Sequence, residues 1–165
     1  TASGIAIAYP IAYRFTEGSD PEFTVGTFFG SPAPTLASVA INPDLFRGTN
    51  ARHAFVTWSA IGDIPPDQCA RFAREGEAGG TTMTEGPTIN GIPFLEGRSD
   101  GAAAGTHVAS RILHAELSGR CFEIGMHVVT SNIANFEPGA VLPADEERLF
   151  ALLERIVMRT AFAQE

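Results

Sequence analysis

Short apolar runs broken by turn residues fill the first sixty positions. "GIAIAY" (4–9) and "IAYRF" (11–15) flank Pro10, "TEGSDPE" (16–22) is a turn cluster, and "FTVGTFF" (23–29) is again strand-like. After the Pro-rich "GSPAPT" (30–35), "LASVAI" (36–41) and "HAFVTWSAI" (53–61) bracket a polar connection with Pro, Gly and Asn. The pattern then changes. "IPPDQCARFAREGEAGG" (64–80) predicts a first helix, with Pro66 early, Asp67 at the positive end of the dipole and Gly79–Gly80 at the exit.

Asn90–Gly91 between apolar neighbours predicts a two-residue hairpin, because both central positions of a type I′ turn need positive φ. Pro93 lacks an N–H and places that hairpin at a sheet edge. "EGRSDGAAAG" (96–105) reads as a loop, and 106–131 as a second hairpin turning at Ser118–Gly119. The segment 143–162 is the clearest helix. Leu149, Leu152, Leu153, Ile156, Val157 and Thr160 share one face, carboxylates crowd the first turn, and Arg155 and Arg159 fall in the last turns. Strands without helical crossovers, closed by one good helix, predict a single α+β domain over 1–165. Its antiparallel sheet is flanked by helices, and a small β-barrel with a C-terminal helix is the alternative.

The Ser118–Gly119 turn sets a register. Leu117, Ala115, Leu113, Arg111 and Ala109 then oppose Arg120, Phe122, Ile124, Met126 and Val128, forming an apolar seat for the C-terminal helix. The other face pairs Glu116 with Cys121, His114 with Glu123, Ile112 with Gly125 and Ser110 with His127. On that face Cys121 and the distant Cys69 are expected to form a disulfide holding the first helix to the sheet, the alternative being two buried free thiols. Closing about fifty residues is worth roughly 4 kcal/mol in the chain-entropy model.

Composition narrows the setting. The net charge is −8, and all 11 cationic side chains are Arg with no Lys, so no basic cluster exists to neutralise phosphates or anionic lipid. Nucleic acid is therefore not an expected partner. No apolar run reaches the roughly 20 residues needed to span a bilayer. An even cysteine pair outside any C-x-x-C spacing, in a chain starting at Thr1, fits an exported protein, periplasmic or secreted, and leaves room for a lipid anchor upstream of Thr1.

Candidate chemistry is sparse. G-x-S-x-G, Walker and G-x-G-x-x-G patterns are absent. His114 opposite Glu123 reads as a solvated cross-strand ion pair, with a general acid–base dyad as the catalytic alternative. His127 and His114 would stand about 13 Å apart along the hairpin, too far to share zinc. His53 and His107 are isolated, so no metal or cofactor is expected. "TSNIANFEPGAV" (130–141) is an ordered connection in which Asn132, Asn135, Phe136 and Glu137 are the candidate partner-binding residues.

Four pieces in order, "INGIPF" (89–94), "RSDGAAAG" (98–105), "SGRCFEI" (118–124) and "TSNIANFEPGAV" (130–141), resemble a group of exported bacterial proteins and lipoproteins, more distantly of PsbP-like fold. The resemblance covers about residues 85–160. It implies a docking or stabilising module without catalytic residues, whose partner is a protein or an envelope assembly. The expectation is a disulfide-stapled, non-enzymatic accessory protein of the bacterial envelope. A small-molecule-binding periplasmic protein and a hydrolase-like enzyme around His114 and Glu123 are the alternatives.

Overall fold

A computed structural model describes residues 4–22, 25–73 and 80–162. Seven strands make one antiparallel sheet in the order β2 (Arg14–Glu17), β3 (Thr35–Ala40), β4 (Ala51–Gly62), β10 (Arg120–Ser131), β9 (Thr106–Leu117), β8 (Ile92–Ala103), β7 (Thr84–Ile89). The sheet is open, which overturns the barrel alternative. Two small ladders complete the strands among the described residues: β1 (Ile5–Ala6) with β11 (Ala161–Phe162), and β5 (Arg71–Phe72) with β6 (Thr81–Thr82).

The centre of the sheet follows the register expected from Ser118–Gly119. Leu117 pairs with Arg120, and Leu113 with Ile124. Ser118 and Gly119 take φ of 51° and 73°, and Asn90 and Gly91 take 48° and 82°, as type I′ turns require. A third turn of this kind, Ala104–Gly105 at 49° and 77°, was hidden in the sequence. It extends β8 through Ala103, so residues 96–103 are strand rather than loop. Their backbone groups pair with β9 from Leu95↔His114 to Ala103↔Thr106, and that ladder overrides the weak strand propensity of Gly, Ser and Asp.

The edge strand β7 carries Gly86 and Pro87, and its pairing with β8 shifts between Glu85 and Thr88. The hairpin at Asn90 does lie at the sheet edge, as Pro93 implied.

The C-terminal helix, α2, spans Glu146–Val157, capped by Asp145, whose carboxylate accepts the Arg148 N–H at 3.0 Å. It is shorter than 143–162, since the chain turns at Thr160 and enters β11. Leu149, Phe150, Leu153, Ile156 and Val157 pack against Trp58, Val56, Leu113, Ile124 and Met126 in the main core. Arg111, the charged rung on this apolar face, lies over the Phe150 ring at 4.3 Å and bonds Glu147 at 2.6 Å and Glu154 at 2.7 Å. Burial opposes the charge on Arg111, but these two carboxylates outweigh it and raise the guanidinium pKa. Trp58 Nε1 donates to Thr160 Oγ1 at 3.2 Å, closing the chain end over the core.

The first helix, α1, is only Pro66–Cys69; Arg71 and Phe72 are already strand, and residues 74–79 lie outside the described part. The expected strand 23–29 is irregular where described. Its end, Phe28–Gly30, runs beside Ala73 through Ala73 N–H to Phe28 O at 3.0 Å and Gly30 N–H to Ala73 O at 2.9 Å.

Candidate functional site

The second face of the sheet is where the chemistry-bearing residues gather. Cys69 and Cys121 are bonded there, with Cα atoms 5.6 Å apart, and both are buried with Phe29. The bond ties α1 to the central strand β10, as the register on that face implied.

His114 and Glu123 face each other across β9 and β10 at 2.8 Å, but they are not solvated: their side chains are 0% and 3% exposed. The correction has a definite cause. A covering layer from distant segments, Phe28–Gly30 and α1, closes over the pair. Phe29 stacks on the His114 ring with centroids 5.0 Å apart. Glu123 Oε2 accepts the Phe28 N–H at 2.8 Å, and the Cys69 carbonyl lies 3.0 Å from His114 Nδ1. No local pattern in the hairpin could announce that lid.

Counting donors fixes the chemistry of the pair. A carbonyl oxygen only accepts, so Nδ1 carries a proton. Nε2 then meets Glu123 with a second proton between them, either on the ring as an imidazolium–carboxylate pair or on the carboxyl as a neutral acid. In either form, a buried hydrogen bond between two such groups is costly to halve, because the partner left behind is buried and unpaired. It is a knot joining sheet, disulfide and covering segment. Every polar atom of the ring is engaged and none is exposed, so His114 has no open edge to offer a substrate.

His127 sits further along the same face, fully enclosed, with Ser110 Oγ 2.9 Å from Nδ1 and Thr57 Oγ1 3.2 Å from Nε2. Burial pushes its pKa down to about 3, so the ring is neutral, and one hydroxyl accepts while the other donates. Phe55 packs beside it at 4.9 Å. The pattern Ser110–His127–Thr57 has no carboxylate and no access. It fastens β9 to β4 across β10.

His53 is half-buried, and burial, then the Arg52 charge, lower its pKa. His107 lies between Asp100, 3.3 Å from Nε2, and Glu146, 3.6 Å from Nδ1. Among the described residues no group of three His, Cys, Asp or Glu is placed to hold a metal ion.

The candidate loop is rigidly tied. Asn132 caps the turn Ile133–Asn135, its Oδ1 accepting Ala134 N–H at 3.0 Å, and its own N–H donates to Gly105 O at 2.7 Å. Asn135 Nδ2 reaches Gly105 O at 3.4 Å. Asn50, which the sequence reading missed, is the central tie: Nδ2 donates to Ser131 O and Oδ1 accepts Ala144 N–H, both at 2.7 Å. Thus Asn132 and Asn135 serve the backbone, whereas Phe136 and Glu137 are exposed. No described helix is long and apolar enough to cross a membrane.

No family model matches the chain, and no curated protein sequence matches it. A fold likeness does exist. The crystal structure of LpqN, a protein involved in cell envelope biogenesis of Mycobacterium tuberculosis, superposes with a TM-score of 0.51 at 12% identity. The match covers 96% of this chain and 83% of that one, so this sheet-rich α+β architecture is similar, almost whole, to the fold of that protein.

Proposed function

We propose that the protein is a non-enzymatic accessory or interaction module of a bacterial cell envelope, working in the periplasm or outside the cell. The fold likeness to LpqN over nearly the whole chain carries the reading. The Cys69–Cys121 bond supports it, since such bonds persist in oxidising compartments. The sealed His114–Glu123 pair supports a structural over a catalytic use of the one dyad in the hairpin. The likeness of residues 85–160 to an exported bacterial protein group, a more distant PsbP-like fold, a lipid anchor before Thr1, and partner contact through Phe136 and Glu137 belong to the same proposal.

Fractionation tests it. In cells making the protein from its own gene, it is expected in the envelope or secreted fraction, with both cysteines blocked to maleimide until reductant and denaturant are added. Recovery in the cytosol with two free thiols would overturn the reading.

A further inference from the structure

We propose that the end of the sheet where the 43–50 turn, the Ala104–Gly105 turn and the 131–144 connection meet is a docking surface for a partner protein. That partner presents a basic side chain flanked by apolar ones. The inference rests on the interaction-module reading and names the partner's chemistry.

Three observations converge there. The first is apolar exposure: Leu142, Ile133 and Phe136 are 68%, 43% and 36% exposed, all on one connection. The second is shape. Ile133 and Pro143 border a hollow of about 460 Å³ whose walls include Asn50, Thr106, His107 and Asn132. The third is charge. Asp100 and Glu146 hold His107 at the side of that hollow, and Glu137 follows Phe136 in the same connection. A Lys or Arg side chain seated at the mouth of the hollow would lie beside His107 and near the exposed Asp100 and Glu146 carboxylates that flank that ring, while its apolar neighbours cover Leu142 and Ile133.

The surface is also pre-organised. Leu142 pairs with the 48–50 backbone, its N–H donating to Gly48 O at 3.0 Å and its carbonyl accepting Asn50 N–H at 2.9 Å. Asn50, Asn132 and Asn135 fix the rest of the connection, so binding would not have to order a floppy loop. The carboxylates decide against two other occupants. An anionic lipid surface would be repelled, and a second copy would bring the same acidic patch, with no Lys in the chain to oppose it.

The test uses the whole folded chain as bait for a library of random twelve-residue peptides, counter-selected on a Leu142→Glu variant. Peptides carrying Lys or Arg beside Leu, Phe or Trp are expected. Their affinity should fall at least tenfold in Leu142→Glu and in Asp100→Lys, and should weaken with added salt. Both sites are exposed, so both variants should melt like the parent. An acidic or purely apolar consensus, no consensus, or binding unchanged in either variant overturns the proposal. That failure leaves the envelope assignment untouched, because fractionation judges it separately.

Discussion

The imidazole of His127 occupies the space above Gly125 that any side chain at 125 would need. A Cβ built on Gly125 overlaps Nε2 and comes within 2.8 Å of Thr57 Oγ1. The ring leans back over its own strand to reach β4, and only glycine permits this. Gly125→Ala is therefore expected to displace the ring and break the Thr57 contact. The cost should be about 2–4 kcal/mol in urea unfolding, combining overpacking with a lost buried hydrogen bond. A change below about 1 kcal/mol would show that the ring moves freely.

The same histidine makes stability pH-dependent. Its folded pKa, about 3, lies below the unfolded value near 6.5, so the unfolded chain binds more protons between those limits. Stability is full above about pH 6.5 and falls by about 1.4 kcal/mol per pH unit as the pH drops towards 3. Denaturant midpoints at pH 7 and pH 4.5 measure this. His127→Gln should be less stable at pH 7 yet lose markedly less on acidification.

Glu123 is expected to resist even a conservative change. Its Oε2 accepts the Phe28 N–H and shares a proton with His114 Nε2, and no single atom of a glutamine amide can do both with the ring neutral. Glu123→Gln should cost about 3 kcal/mol by breaking a buried pair. Nitrogen-15 spectra of labelled histidine check the proton count directly: a proton held between Nε2 and Glu123 is expected. A bare Nε2 beside an ionised carboxylate would contradict it.

Removing the disulfide as Cys69→Ala with Cys121→Ala should lower stability by about 4 kcal/mol. Both sulfurs are buried, so in the native protein reductant alone should act slowly, and mass shifts after alkylation should appear quickly only when denaturant is added.

Ala104 holds φ of 49°, a region an alanine occupies with strain. Ala104→Asn recreates the preferred Asn–Gly turn and should raise stability by about 0.5–1 kcal/mol, read from the thermal midpoint.

What the sequence revealed followed from local rules. The Ser118–Gly119 turn fixed the β9–β10 register residue by residue, because side chains alternate strictly once the turn is set. The heptad-like spacing of Leu149, Leu153 and Ile156 likewise marked α2. Residues 98–103 misled because their small and polar side chains carry no strand preference; β9 supplies the order. Arg71 and Phe72 misled for the opposite reason: in a run that reads as helix, they are drawn into a short strand by pairing with Thr81–Thr82. The candidate site was half legible. That His114 meets Glu123 was readable from the register, but that the pair is dry depends on Phe28 and Phe29, some ninety residues earlier in the chain. Two adjacent Phe residues after Gly26–Thr27 were the one available signal of a lid.

The interrupted edge at β7 bears on how the protein behaves in a crowd. Pro87 has no N–H to offer, and the shift at Glu85–Thr88 bends the outer rim away from straight pairing. An edge so finished is a poor template for a neighbour's strand. Growth into a fibre by strand addition is thereby opposed at the β7 side of the seven-stranded sheet.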